Sequence, residues 1–178
     1  ILCDFMTIQG FLTKQGETYG LTRDSAVFLD KKSPAYLGST AFFLVHPTHV
    51  ANFLDLTAAV RKGGTANKHG NMAPEDPVWV EFAKSMAPMS AMGSTAMAQI
   101  VNAPGQSMKV LDIAAGPGAY GIAIAKLNPQ AEIYGVDWKN VLELSMEHAR
   151  QAGVGDRCHG NPGRPCVGAL GSGHDLVL

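Results

Sequence analysis

Residues 109–121 read Lys-Val-Leu-Asp-Ile-Ala-Ala-Gly-Pro-Gly-Ala-Tyr-Gly, and this stretch decides the fold. Val110, Leu111 and Ile113 form a short apolar run around one acid, which is typical of a parallel strand buried on both faces. Small residues and glycines follow, and a helical pattern then begins at Ile122. A strand, a glycine turn and a helix N-terminus in this order expose backbone N–H groups toward a ligand. The stretch therefore predicts an α/β fold with a doubly wound, Rossmann-like parallel sheet.

Two acids narrow the class of ligand. Gly116, Gly118 and Gly121 fit the G-x-G-x-x-G pattern of dinucleotide-binding turns, which leaves an NAD(P)-dependent oxidoreductase open. Asp112 favours a cationic ligand, because a carboxylate in a buried strand is costly unless it is paired, and a pyrophosphate cannot pair with it. Asp137 ends the next apolar run, about 20 residues past the glycines, where an acid binds ribose hydroxyls. A ribose and a cationic amino-acid tail together describe S-adenosylmethionine.

The same residues carry a family resemblance. Residues 112–118, Asp-Ile-Ala-Ala-Gly-Pro-Gly, and residues 134–137, Tyr-Gly-Val-Asp, resemble motif I and the acidic loop of class I S-adenosylmethionine-dependent small-molecule O-methyltransferases. Ala114 stands where the general motif has its first glycine. The resemblance covers nearly the whole chain except residues 157–174. It implies methyl transfer from S-adenosylmethionine to a hydroxyl of a small metabolite, for which an aromatic compound is expected.

The resemblance also implies which residues bind the cofactor. Asp112 is expected to orient the methionine end, and Asp137 to hold the ribose. Gly116 and Gly118 are expected to allow close approach of the ligand to the turn. The remaining expected contacts are Ala114 in the same turn, Trp138 beside the adenine ring, and Phe82 and Met86 on a helix over the cofactor.

The N-terminal residues predict a helix, a hairpin and a second helix. The first helix covers residues 1–9, the hairpin covers 11–21, and Thr22 caps a helix that runs to about Leu29. This order matches the second half of a winged-helix module, so a DNA-binding regulator is an alternative. On the hairpin and just after it, the two basic residues Lys14 and Arg23 are balanced by the acids Glu17 and Asp24. We therefore expect no nucleic-acid partner, and the resemblance implies that the module serves to form a homodimer.

Further helices follow up to residue 101. Two are predicted at about 38–46 and 48–62, separated by Pro47. A polar, glycine-containing span then suggests a boundary between a partial winged-helix-like dimerisation domain, residues 1–68, and the N-terminal part of a methyltransferase domain, residues 69–178.

A proline divides the helical region of the second domain. Asp76 is predicted to cap a helix with Pro77 at its first position. Pro88 is expected to break that helix, and another is expected over about 91–101.

The pattern is weakest after the helix predicted over residues 139–152. His148 on that helix is interpreted as a packing residue and not as a base. Residues 157–174 contain two prolines and five glycines, which do not suit a central strand, so the segment is expected to be distorted, with a reading-frame error as one hypothesis. Residues 175–178, Asp-Leu-Val-Leu, predict the beginning of a buried strand.

The composition of the chain limits which other classes of protein it can belong to. The chain has 178 residues, 46% of them hydrophobic, which is typical of a soluble globular protein. Its net charge of −1 gives no indication that it binds nucleic acid or a membrane surface. Three irregularly spaced cysteines favour reduced thiols and a cytoplasmic location. Cys158, His159 and Cys166 lack a fourth ligand, so no metal site is expected.

The two ends suggest a fragment of a longer protein. The chain opens on Ile1 inside a helical pattern and stops inside a strand pattern. In the family resembled, the catalytic base follows the fourth strand and would lie beyond Leu178, so no catalytic residue is assigned. His159 and His174 precede that point. These 178 residues alone are therefore expected not to catalyse methyl transfer.

Overall fold

The computed structural model describes residues 1–66, 73, 75–101, 105–164 and 170–178. Its helices are α1 Leu2–Ile8, α2 Arg23–Phe28, α3 Thr40–Leu44, α4 Pro47–Leu54, α5 Leu56–Lys62, α6 Pro77–Ile100, α7 Ala119–Leu127 and α8 Lys139–Gln151. Its strands are β1 Leu12–Gln15, β2 Thr18–Leu21, β3 Met108–Ile113, β4 Ala131–Asp137, β5 Cys158–Pro162 and β6 Leu176–Val177. None of the helices described is both long and apolar enough to cross a membrane.

Four strands form a parallel sheet in the order β5-β4-β3-β6. Leu111 of β3 lies between Tyr134 of β4 and Val177 of β6, which fixes the register. Val110, Ile124 and other buried apolar residues from β3, β4, α7 and α8 form the core on one face of the sheet. The α/β, Rossmann-like fold class is confirmed.

The crossover through α7 packs closely on the sheet. A Cβ atom on Gly121 would lie 2.5 Å from Ile133 Cγ2, so only glycine allows this approach. At the other end of α7, the Arg157 guanidinium donates to the carbonyl oxygens of Ala125, Asn128 and Ala131 at 2.7, 3.0 and 3.1 Å. The bonds to Ala125 and Asn128 satisfy carbonyl groups that the end of α7 leaves without helical partners, and the bond to Ala131 links this end to the start of β4.

The N-terminal elements form as predicted. Leu12 pairs with Leu21 across the antiparallel hairpin, and the Thr22 hydroxyl accepts from Ser25 N at 3.3 Å at the start of α2. The winged-helix interpretation and the two-domain division stay predictions. The boundary predicted between residues 68 and 69 lies outside the described residues.

The helix predicted over 48–62 is wrong as a single element. The predicted separation of two helices at Pro47 is confirmed, because α3 ends at Leu44 and Pro47 is the first residue of α4, where proline fits without the loss of an N–H bond. Asp55 then interrupts the helix and caps α5, since its Oδ1 accepts from Ala58 N at 3.0 Å.

The predicted break at Pro88 is also wrong. Helix α6 runs without interruption from Pro77 to Ile100, with Pro88 in its interior. Packing on both sides of the proline outweighs the lost hydrogen bond: Ala83 and Ala98 are both buried. The Ser85 carbonyl, in the turn before the proline, accepts from the hydroxyls of Ser39 and Thr40 at 3.3 and 3.4 Å.

Two expectations about the end of the chain need correction. A parallel strand does form inside the segment expected to be distorted: β5 covers Cys158–Pro162 and pairs with β4. Its proline is tolerated because it ends the strand and because β5 lies at an edge of the described sheet. Residues 176–177 form the predicted strand β6, but it is not buried. Val177 is 57% exposed, because β6 lies at the other edge of the described sheet.

Candidate cofactor-binding site

The loop after β3 has a left-handed backbone at alternate residues. The φ angles of Ala114, Gly116 and Gly118 are 58°, 55° and 79°. Glycine adopts this region freely, whereas an alanine there carries a strain of roughly 1–2 kcal/mol. Gly118 has a second reason to lack a side chain, because its Cβ would collide with Ser145 Oγ of α8.

The N–H groups of this loop are used within the protein. Ala115 N donates to Val136 O at 3.2 Å, Gly116 N to Asp137 Oδ2 at 2.8 Å, and Gly118 N to Ala115 O at 2.9 Å. Pro117 has no N–H group. The expectation that the turn offers these groups to a ligand is therefore wrong for residues 115–118, and the loop differs from a phosphate cradle, which keeps its N–H groups free.

Asp112 is a buried carboxylate beside the loop. The residue is 5% exposed. Within the part of the chain that the structure describes, its one hydrogen bond comes from Gly121 N to Oδ2 at 3.2 Å. Burial, with a smaller contribution from the charge of Asp137, raises the pKa of Asp112 to about 6. A cationic group nearby would stabilise the ionised form.

Asp137 organises the end of β4. Besides the bond from Gly116 N, its Oδ1 accepts from Trp138 N at 2.7 Å. The carboxylate thus links the loop after β3 to the residue that precedes α8. The Trp138 ring lies 5.7 Å from the guanidinium carbon of Arg164.

A cavity of about 740 Å³ opens beside the loop, at the carboxyl ends of β3 and β6. This position is the switch point of the sheet, because the chain continues from β3 to one side and places β6 on the other. The lining residues come from α6, the loop, the start of α7 and β6: Phe82, Met86, Ser90, Gly93, Met97, Asp112, Ile113, Ala114, Ala115, Gly116, Pro117, Tyr120, Val177 and Leu178. The wall is largely apolar, and among the described residues Asp112 is its one acidic side chain.

The structure brings five of the eight predicted residues to this cavity: Phe82, Met86, Asp112, Ala114 and Gly116. The other three, Gly118, Asp137 and Trp138, do not line it. Gly118 packs against α8 beneath the loop, and Asp137 supports the loop through Gly116. Their roles as cofactor contacts stay predictions.

Among the lining residues that sequence reasoning missed are four on α6 and α7: Ser90, Gly93, Met97 and Tyr120. Three of them continue the helical spacing of Phe82 and Met86, which was a usable signal. The predicted break at Pro88 obscured it. The fourth, Tyr120, lies with its hydroxyl 3.0 Å from the position of a Cβ on Gly93, so that glycine makes room for the phenol.

The two histidines considered as bases lie elsewhere. His159 Nε2 is 2.7 Å from Glu132 Oε2, and its ring packs on Tyr134 with centroids 5.0 Å apart. The His174 ring contacts the same tyrosine at 5.7 Å. Tyr134 faces away from the α7 side of the sheet, because side chains alternate along a strand and Ile133 points toward α7. Cys158 is a buried free thiol, and Cys166 lies outside the described residues.

The strand order of the sheet and the glycine loop after β3 together define a Rossmann-like domain. A family model described as a methyltransferase domain matches residues 104–159. A crystal structure titled "putative O-methyltransferase" from Nostoc punctiforme PCC 73102 is 50% identical over 99% of this chain and 52% of that chain, with a TM-score of 0.88. These findings confirm the resemblance to the class I O-methyltransferases.

More distant structures share the fold. The mitomycin 7-O-methyltransferase MmcR is 24% identical over 91% of this chain and 50% of its own, with a TM-score of 0.71. PigF, whose structure is described as "PigF with SAH", is 19% identical over 99% of this chain and 55% of its own, with a TM-score of 0.77. The chain thus spans about half the length of the structures it matches. No curated protein sequence gives a significant match.

Proposed function

We propose that the protein containing this chain transfers a methyl group from S-adenosylmethionine to a hydroxyl of a small aromatic metabolite. The observation that carries this proposal is the pair of acids at the strand ends beside a loop whose own N–H groups are already bonded. A site of this kind is suited to a ligand with a cationic tail and ribose hydroxyls. Structures of similar fold that contain SAM or SAH, such as human N-acetylserotonin methyltransferase with SAM and PigF with SAH, agree with this proposal.

The residues described fit such a cofactor. Asp112 would face the ammonium or sulfonium charge, because it lines the cavity and has a single hydrogen-bond donor among the described residues. Asp137 would accept from the ribose hydroxyls with lone pairs that its two backbone bonds leave free. When bound, the cofactor supplies a methyl carbon already activated by the neighbouring sulfonium.

The acceptor is inferred from the cavity wall. Phe82, Met86 and Met97 line one side from α6, and the Phe82 ring contacts Phe43 of α3 edge to face, with centroids 4.8 Å apart. Aromatic rings and methionine sulfur pack favourably on an aromatic ligand. The protein's part in the reaction is to align the acceptor hydroxyl with the methyl carbon and to provide a route for the hydroxyl proton. Neither His159 nor His174 lines the cavity, so we assign neither as the base.

The two alternative classes have less support. An NAD(P)-dependent oxidoreductase needs donors for a pyrophosphate, whereas this loop keeps its N–H groups for Val136, Asp137 and Ala115. A DNA-binding regulator needs accessible cations on its hairpin. Lys14 instead pairs with Asp4 at 2.5 Å, and the neighbouring Tyr19 hydroxyl donates to the same carboxylate.

We also propose that the protein is a cytoplasmic homodimer. Large apolar side chains are exposed on the N-terminal helices, among them Leu54 and Val60 at 82% and 81% exposure. Surfaces of this kind mark association sites. Cys3 and Cys158 are both free, which agrees with a reducing compartment. Light scattering coupled to size-exclusion chromatography checks the oligomeric state.

Isothermal titration calorimetry with S-adenosylmethionine and NAD tests the proposed cofactor. We expect binding of S-adenosylmethionine only, and at least a tenfold loss in Asp137→Asn, because a charge-assisted hydrogen bond contributes roughly 1.5–3 kcal/mol. Asp156→Asn is the matched control, since Asp156 is an exposed acid in the turn after α8. Equal affinity in both variants would remove Asp137 from the site, and tighter binding of NAD would refute the proposal.

A further inference from the structure

His148 of α8 is bonded to the loop after β3, residues 114–118, beside which the cofactor is proposed to bind. Its Nδ1 lies 2.9 Å from the carbonyl oxygen of Pro117, thirty-one residues earlier in the chain. Pro117 itself lines the cavity. The histidine thus reaches the loop from the helix side without lining the cavity.

The chemistry of the partner fixes the direction of this bond. A carbonyl oxygen only accepts, so Nδ1 must carry the hydrogen. In a neutral imidazole the other nitrogen, Nε2, is then unprotonated. The contact therefore specifies one tautomer of His148, which an experiment can observe directly.

A second residue of α8 meets the loop one helical turn earlier. Ser145 is buried, and its Oγ occupies the space that a side chain on Gly118 would need. Residues three apart share a helix face, so Ser145 and His148 together present one face of α8 to residues 117–118. On the other side, Asp137 holds Gly116 N, so the loop is fixed from two directions.

We propose that His148 is a positioning residue for cofactor binding, whose Nδ1–H group holds the Pro117 carbonyl and thereby fixes the shape of the loop. This inference rests on the proposed function, because the loop matters for affinity only if the cofactor binds there. His148 acts through Pro117 and does not touch the reacting atoms.

Three substitutions of similar size separate the hydrogen bond from packing. His148→Asn keeps an N–H donor at the same distance along the side chain, His148→Leu replaces it with a methyl group, and His148→Asp places an acceptor against the carbonyl. Glu143→Asn on the exposed side of α8 is the control. Far-UV circular dichroism first checks that each variant folds.

Two measurements follow on the full chain. Long-range proton–nitrogen NMR of labelled histidine reads the tautomer of His148, and the amide signals of Gly116 and Gly118 report the loop. Calorimetry then gives the affinity for S-adenosylhomocysteine. We expect a protonated Nδ1, wild-type-like loop signals and affinity in the asparagine variant, and a three- to tenfold loss in the leucine and aspartate variants, which is roughly what one hydrogen bond contributes.

The outcomes distinguish this inference from the proposed function. An unprotonated Nδ1, or equal loop signals in all three variants, would overturn the positioning role, because packing alone would then explain the contact. If the loop signals change as expected but the wild-type chain binds no cofactor, the positioning of the loop stands and the proposed function fails.

Discussion

Replacing Asp112 with asparagine is expected to stabilise the ligand-free chain above about pH 6 and to weaken cofactor binding. Burial, and to a lesser degree the charge of Asp137, raises the pKa of Asp112 from 3.8 to about 6. The ionised carboxylate therefore destabilises the folded chain, and a cationic ligand would offset that cost. Asparagine has nearly the same shape without the charge.

The magnitude and sign follow from the pKa of Asp112. A shift of about two units corresponds to roughly 3 kcal/mol between the protonation states. From about pH 4 to pH 6 the folded chain binds more protons than the unfolded chain, so its stability falls as the pH rises, and the penalty is complete above about pH 6. The asparagine amide needs a new partner, at a cost of about 1–2 kcal/mol. A net gain of about 1–2 kcal/mol is therefore expected at pH 8, and a net loss of about 1–2 kcal/mol near pH 4, where the wild-type carboxyl is protonated and only the cost of the amide remains.

Urea unfolding of the wild type and Asp112→Asn at several pH values measures this difference. Asp156→Asn, at an exposed site, is the control and should show no such pH dependence. Calorimetry at pH 8 should show at least a tenfold lower affinity of Asp112→Asn for S-adenosylmethionine. A variant that is less stable than the wild type at pH 8, or that gains the same amount at every pH, would contradict the reasoning about the buried charge.

Three further substitutions test the loop and helix α6 by chemical denaturation. Gly118→Ala should destabilise the chain by about 2–4 kcal/mol because it adds strain and a collision with Ser145, whereas Gly153→Ala, with a φ of 73° and open space, should lose only about 1–2 kcal/mol. Ala114→Gly should stabilise by at most about 1 kcal/mol, because relief of strain exceeds the added freedom of the unfolded chain. Pro88→Ala should stabilise by about 1–3 kcal/mol with unchanged helix content, and a loss would mean that the proline ring packs favourably.

The strand, loop and helix of residues 109–127 could be predicted because their requirements are local. A two-faced apolar strand, glycines at positive φ and an apolar helix each leave a pattern within a few residues. The placement of Asp112 at the cavity followed from the cost of burying a carboxylate. The hydrogen bond from Gly116 N to Asp137 joins residues twenty-one apart, and no local pattern indicates it.

The errors arose where tertiary contacts outweigh local preference. Pro88 predicts a break by its own chemistry, but the buried residues on both sides of it belong to one packed helix. Residues 158–162 lack the composition of a central strand, yet an edge strand pairs on one side only and tolerates a proline at its end. If α6 had been predicted as one helix through Pro88, the helical spacing of its residues would have indicated which of them line the cavity.

The three bonds of Arg157 have a consequence for how the domain unfolds. The last turn of α7 depends on a side chain that lies beyond both β4 and α8 in the chain. This turn cannot gain its full set of partners until about thirty later residues are in place, so its amide protons should exchange only when α8 and β5 open as well. We therefore expect α7, α8 and β5 to unfold as one cooperative unit, and a substitution at residue 157 to loosen the far end of the helix whose first turn borders the loop after β3.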